Sequence, residues 1–94
     1  MFARITRYKM KPGTRDAATT VLNGLKDQIM AMNGIVHFMN AANEDGTGYV
    51  VAVLESREAS EANQDKVRAV WQNFAEFLEE MPTPEGFDVI ADWS

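Results

Sequence analysis

Apolar and polar residues follow one another along this chain with periods that change between two and about 3.6 residues. Phe2 to Met10 alternates and is rich in β-branched and aromatic residues, which predicts a strand ending at Lys11-Pro12-Gly13. Next, apolar residues at three- and four-residue steps predict a helix that begins at Thr14 as N-cap and ends at Asn33-Gly34. Its apolar stripe is Ala18, Val21, Leu22, Leu25, Ile29 and Met32.

Two further strand-like segments, Ile35 to Ala42 and Tyr49 to Leu54, are joined by a six-residue linker that contains Asp45-Gly46 and Gly48. This arrangement predicts an antiparallel hairpin. The segment from Tyr49 to Leu54 is apolar at both odd and even positions. A strand of that kind is typically covered on both faces of its sheet.

The last third of the chain predicts a short helical turn capped by Ser56, a break between Asn63 and Asp65, a longer helix and a final strand. Pro82-Thr83-Pro84 is expected to end the longer helix, and Phe87 to Trp93 alternates as a strand. The apolar stripe of the longer helix is Val67, Val70, Trp71, Phe74, Leu78 and Met81.

The order strand, helix, strand, strand, helix, strand predicts an α+β domain of the ferredoxin-like type over residues 1–94, with four antiparallel strands and both helices on one face. The other face would carry Ala3, Ile5 and part of the Tyr49 to Leu54 segment. That surface is too apolar to remain in water, so we expect two copies to pair sheet to sheet as a homodimer.

Composition narrows the classes of partner and chemistry. The net charge of −5 disfavours phosphate backbones and anionic lipid headgroups, so neither nucleic acid nor a membrane is an expected partner. The chain has no cysteine and one histidine, which leaves no thiolate or multi-histidine metal site. Met1 to Ile5 does not begin a signal peptide, so the cytoplasm is the expected compartment.

Three short segments of the chain share a pattern with a known family. They are Phe2-Ala3-Arg4-Ile5-Thr6-Arg7-Tyr8 followed by Lys11-Pro12-Gly13-Thr14, then Asn33-Gly34-Ile35, and Leu54-Glu55-Ser56 followed by Glu58-Ala59. Together they resemble antibiotic biosynthesis monooxygenase-like proteins of the dimeric α+β barrel superfamily. The resemblance implies a homodimer whose two sheets form a barrel, with a pocket between sheet and helices in each subunit. Members of that family include cofactor-free oxygenases of quinols and polycyclic phenols, haem-degrading enzymes and many proteins of unknown role.

The haem-degrading members of that family use an Asn on the first strand, a Trp in the short helix after the third strand and a His farther along the second helix. Thr6, Asn63 and Asn73 hold those positions here. The iron ligand is therefore missing, and we expect neither haem nor another cofactor. The same correspondence places Thr6 and Asn63 at the pocket. Without it, Thr6 is an ordinary strand residue and Asn63 a helix cap.

Among the remaining candidates, His37 is the only side chain that normally titrates near neutral pH, and it would serve as general base. Its alternative is a partly exposed strand histidine. Tyr8 shares the strand face of Thr6 and could bind a substrate oxygen, whereas Arg4, on the same face, is typically a solvated charge at a strand end. Trp71 and Phe74 would wall the pocket, or pack as core.

Two functions follow from these residues. One is a cofactor-independent monooxygenase of a small aromatic, quinol-type substrate, whose own anion reduces dioxygen. In it, Thr6, Tyr8, His37 or Asn63 orient and deprotonate the substrate while Trp71 and Phe74 exclude water. The alternative is a non-catalytic homodimer that binds a small apolar ligand in the same pocket or has a structural role.

Overall fold

A central four-stranded antiparallel sheet organises the protein, in a computed structural model that describes residues 1–94. The elements are β1 (Phe2–Lys9), α1 (Arg15–Gly24), α2 (Lys26–Met30), β2 (Ile35–Ala42), β3 (Thr47–Leu54), α3 (Arg57–Ala62), α4 (Gln64–Gln72), a 3₁₀ turn (Ala75–Phe77) and β4 (Glu85–Asp88). The sheet order is β2-β3-β1-β4. This confirms the α+β, ferredoxin-like architecture.

The hairpin is confirmed, and β3 begins two residues earlier than the pattern predicts, because Thr47 pairs with β1 and Gly48 pairs with both β1 and β2. Gly46 makes the connecting turn with a φ of +94°, a conformation that side-chain-bearing residues rarely adopt. The register between β2 and β3 shifts between Ile35 and His37. That bulge decides which β2 side chains face the helices.

The first predicted helix is divided in two. Next to Gly24 the backbone hydrogen bonds change to a three-residue spacing, since Leu25 N–H donates to Leu22 O at 2.9 Å. The second helix, α2, then starts at Lys26. Thr14 occupies the N-cap position, but its hydroxyl donates to Lys11 O at 2.7 Å instead of capping the helix. The apolar stripe nevertheless stays inside, since Ile29 is 3% exposed.

The second helical region confirms Ser56 as a cap, because its hydroxyl oxygen accepts from Ala59 N–H at 3.1 Å, and confirms the break at Asn63. The extension of the longer helix to Met81 is wrong. Asn73 Nδ2 donates to Ala69 O and to Val70 O, so its side chain occupies carbonyl groups of the last turn. Such bonds compete with the helical ladder, and α4 ends at Gln72.

The final strand is shorter and earlier than predicted. It spans Glu85–Asp88 instead of Phe87 to Trp93. The pairing with β1 ends where Phe2, the first residue of that strand, meets Asp88. Beyond that pair, Val89 N–H donates to Met1 O at 3.1 Å, and Ile90 and Trp93 are exposed by 98% and 92%.

Candidate functional site

A cavity of about 100 Å³ lies between the sheet and the helices. Its walls come from β1, β2, β3, α1, α2 and α4, and 16 of its 21 lining residues are hydrophobic. The remaining lining residues concentrate on the first two strands and the start of α1. They are Arg4, Thr6, Asn40, Arg15 and Thr19, and the hydroxyl of Tyr8 joins them.

Strand β1 supplies the floor of the cavity. Arg4, Thr6 and Tyr8 follow at alternate positions, so their side chains leave the same face of the sheet at steps of about 6.5 Å. Thr6 and Tyr8 are 3% and 6% exposed. The period of two thus aligns three polar groups in a row beneath an otherwise apolar space.

Tyr8 lies over Gly48, its partner in β3. A Cβ atom at Gly48 would come within 2.5 Å of the Tyr8 Cζ and hydroxyl oxygen, so the ring occupies the space that a side chain would take. The Tyr8 hydroxyl donates to Asn40 Oδ1 at 2.5 Å. The glycine and the amide together fix where the hydroxyl oxygen stands.

Burial raises the pKa of Tyr8 above its usual value of 10, and the hydrogen bond to Asn40 only partly opposes this shift. Tyr8 is therefore a neutral phenol near pH 7. It cannot serve as a base there. Its oxygen can accept a hydrogen bond from a ligand while its proton is held by Asn40.

Aromatic rings form the opposite wall. The Trp71 ring lies 5.8 Å from that of Tyr8, at an interplanar angle of 58°, and 6.2 Å from that of Phe74, at 65°. Trp71 and Phe74 are both half-buried and both line the cavity. Rings inclined to one another in this way offer both ring faces and ring edges for another aromatic ring to pack against.

Arg4 also lines the cavity, so the expectation of a solvated strand-end charge is wrong. Its Nη1 donates to the hydroxyl of Ser60 at 2.6 Å, whereas its Nε is buried without a partner. Ser60 is 1% exposed and belongs to α3. The folding of α3 over β1 keeps the guanidinium inside, at a cost of about 1–3 kcal/mol for the unpaired N–H group.

The fold is shared with many solved structures. A protein of unknown function from Nitrosomonas europaea is 20% identical, with a TM-score of 0.81 over 99% of this chain and 92% of that one. A Bordetella bronchiseptica protein provisionally named an antibiotic biosynthesis monooxygenase is 12% identical, with a TM-score of 0.80 over 96% and 97%. Rv0793 of Mycobacterium tuberculosis is 17% identical, with a TM-score of 0.76 over 99% and 98%.

Several further matches carry the name antibiotic biosynthesis monooxygenase, provisionally or outright. The chain has the fold of the antibiotic biosynthesis monooxygenases. These structures support the resemblance found in the sequence. No family model and no curated protein matches the sequence.

Within the antibiotic biosynthesis monooxygenase fold, the structure brings Thr6, Tyr8, Trp71 and Phe74 together at one cavity. Asn63 lies outside its lining and is 1% exposed. Its amide nitrogen donates to Asn33 O at 2.7 Å and Ala59 O at 2.9 Å, and its Oδ1 accepts from Asn33 N–H at 3.2 Å. These bonds tie α3 to the turn before β2.

His37 lies on the sheet face away from the cavity. Its side chain is 65% exposed, and Nε2 stands 3.8 Å from Asp92 Oδ2. The β2 residues that line the cavity are Ile35, Phe38, Asn40 and Ala42. The bulge after Ile35 lets both Ile35 and Phe38 face the helices, which leaves His37 on the other side.

The structure holds no cluster of three or more His, Cys, Asp or Glu side chains arranged to bind a metal ion. None of the helices has the length and apolar composition needed to cross a membrane.

Proposed function

We propose that this protein is a cofactor-independent monooxygenase of a small, single-ring aromatic substrate of the quinol type. The observation that carries the proposal is the paired hydroxyl of Tyr8 and amide of Asn40, set in the floor of an apolar cavity with aromatic walls. An apolar pocket with a few convergent polar groups is the usual form of a small-molecule site.

The size of the cavity suits one aromatic ring. An engineered, dry cavity of about 150 Å³ is enough to bind benzene, and the cavity here, at about 100 Å³, falls on the same scale. A ring between Trp71 and the strand floor would face Thr6 and the Tyr8 hydroxyl with its own oxygen substituents. The ring faces would meet mostly hydrophobic side chains, which limits access of water to the reacting carbon.

The chemistry needs no group beyond substrate and dioxygen. The electron-rich substrate anion gives its electrons to dioxygen, one oxygen atom enters the substrate, and the other leaves as water with two hydrogens that the substrate supplies. Tyr8 would hold the substrate oxygen through a hydrogen bond, and Thr6 would add a second contact beside it. Their contribution is orientation, since neither is a base near neutral pH.

The names of the structural neighbours support the oxygenase proposal. One observation favours a second candidate, a non-catalytic module that binds a small aromatic ligand. No Asp, Glu or His lines the cavity, and the pKa of Tyr8 is raised. A ligand that needs a protein base to lose its proton would then be bound and released unchanged.

Oxygen uptake with a panel of substituted hydroquinones separates the two candidates. We expect uptake by chelator-dialysed protein above the protein-free rate, and a roughly tenfold loss of kcat/KM in Tyr8→Phe, the scale of one lost hydrogen bond. Tyr49→Phe is the matched control, because Tyr49 is 51% exposed and lies outside the cavity lining. Saturable binding without any uptake would instead establish the second candidate.

We further propose a homodimer formed by the sheet face opposite the helices. The register aligns Ile5, Val51 and Met39 across three strands of that face, and Met39 is 60% exposed. Phe87, in β4 at the edge of the sheet, is 47% exposed, and Trp93, in the segment after β4, is 92% exposed. A second copy of the same face would cover this apolar surface on both protomers at once.

Light scattering coupled to size exclusion tests the dimer. We expect a mass of twice 10.5 kDa at micromolar concentration. Val51→Glu should shift the protein to the monomer, because it places a charge at the centre of the face. Arg68→Gln, on the exposed side of α4, should remain dimeric. A wild-type monomer would contradict the proposal.

A further inference from the structure

We propose that Arg4 forms an anion subsite in the cavity, so that the ligand is held as a phenolate with its charged oxygen at the guanidinium. The inference rests on the proposed function and specifies the ionisation state of its substrate. The phenolate is the form from which electrons pass to dioxygen. Arg4 would therefore supply what the cavity otherwise lacks, a means of favouring the substrate anion without a protein base.

The charge of the cavity supports this assignment. The only charged residues in its lining are Arg4 and Arg15, although the whole chain carries a net charge of −5. Arg15 lies 4.0 Å from Glu44 and has a half-exposed side chain, so its charge is offset at the surface. Arg4 belongs to none of the ion pairs in the structure.

The surroundings of Arg4 leave its charge free for a ligand. Its one side-chain partner is the neutral hydroxyl of Ser60, which fixes the guanidinium without neutralising it. One charged residue of the adjoining helix α3 is engaged away from Arg4. Arg57 of α3 lies over the Phe2 ring at 5.4 Å and stands 3.8 Å from Asp88 of β4.

The buried Nε of Arg4 is a donor without an acceptor. Buried donors in native proteins nearly always have partners, and the exceptions call for an explanation. An anionic oxygen bound at the guanidinium would bring the opposite charge, and a turn of the side chain toward that oxygen would give Nε its acceptor. Charge-assisted hydrogen bonds of this kind are shorter and stronger than neutral ones.

The position of Arg4 on the floor fits a single-ring ligand. Arg4 and Tyr8 stand at the two ends of the polar row, about 13 Å apart between Cα atoms, with Thr6 between them. Both side chains line the same cavity. A ring with oxygens at opposite carbons can place the ionised oxygen at Arg4 and the neutral hydroxyl at the Tyr8 oxygen.

Absorbance titration of bound 4-nitrophenol tests the proposal without any oxygen chemistry, since its yellow phenolate shows the ionisation state directly. We expect the wild-type protein to lower the pKa of the bound phenol by at least one unit, equivalent to at least tenfold tighter binding of the anion than of the neutral form. Arg4→Gln should abolish the shift, and Arg4→Lys should keep part of it. Arg68→Gln, which removes a charge outside the cavity, should leave it unchanged.

A bound pKa equal to or above that of free 4-nitrophenol, or no binding at millimolar concentration, would overturn the proposal. A shift that persists in folded Arg4→Gln would overturn it too. If Arg4→Gln does not fold, the wild-type shift and the Arg4→Lys variant decide the matter. A phenolate shift without oxygen uptake from any hydroquinone would preserve the anion subsite while rejecting the oxygenase function.

Discussion

Replacing Gly48 with alanine should be among the most damaging single-methyl changes in this protein. The new Cβ would lie within 2.5 Å of Tyr8 ring atoms and 2.7 Å from the backbone oxygen of Ala41. The Tyr8 ring must then move away from β3, and its hydrogen bond to Asn40 is lost. Overpacking of this kind costs about 1–3 kcal/mol, and the backbone contact places Gly48→Ala at the upper end. For a domain of this size, that lowers the melting temperature by about 10–20 °C.

Gly24→Ala is the matched control for this prediction. Nothing lies within 4 Å of a Cβ added at Gly24, in the last turn of α1. Alanine is favoured over glycine in helices by roughly 0.5–1 kcal/mol, so this variant should melt at or slightly above the wild-type temperature. Equal melting temperatures for Gly48→Ala and wild type would show that Tyr8 does not rest on Gly48, and the site geometry would need revision.

The second large effect is expected from substitutions of Trp71. Trp71→Ala should destabilise the fold by about 3 kcal/mol, the low end for a large aromatic residue, because Trp71 is half-buried with part of its surface facing the cavity. Trp71→Phe keeps a ring against Tyr8 and Phe74. It should cost under about 1.5 kcal/mol while weakening the binding of aromatic ligands.

Thermal melts and ligand titrations of the two Trp71 variants check this prediction. Leu54→Met is the control, since Leu54 is 3% exposed and lies outside the cavity lining. It should lower stability modestly and leave ligand binding unchanged. If Trp71→Phe were as destabilising as Trp71→Ala and had no effect on binding, Trp71 would be plain core.

The alternation of β1 was sufficient to predict from sequence that Thr6 and Tyr8 share a face. In a strand, neighbouring positions leave opposite faces whatever the rest of the fold does. The burial of Arg4 could not be predicted in this way. It depends on α3 placing Ser60 above the strand, a contact between residues 56 positions apart. Asn40 was missed for the same reason, since its partner Tyr8 lies 32 positions away.

The position of His37 depends on one irregularity. Strict alternation from Ile35 would place His37 on the face of Ile35, whereas the bulge after Ile35 separates them. Nothing in the segment Ile35-Val36-His37-Phe38 signals that bulge. The length of β4 could not be predicted from the pattern either, because the alternation continues from Phe87 to Trp93 while the pairing with β1 ends at Asp88.

The central claim is that the cavity beneath Trp71 takes a small aromatic ligand, and nuclear magnetic resonance of the indole N–H groups tests it most directly. The chain has two tryptophans, and Trp93→Phe assigns their signals. Under anaerobic titration with methylhydroquinone, we expect the Trp71 indole signal to move and saturate while that of Trp93, 92% exposed, stays in place. An unmoved Trp71 signal at saturating ligand concentrations would contradict the account.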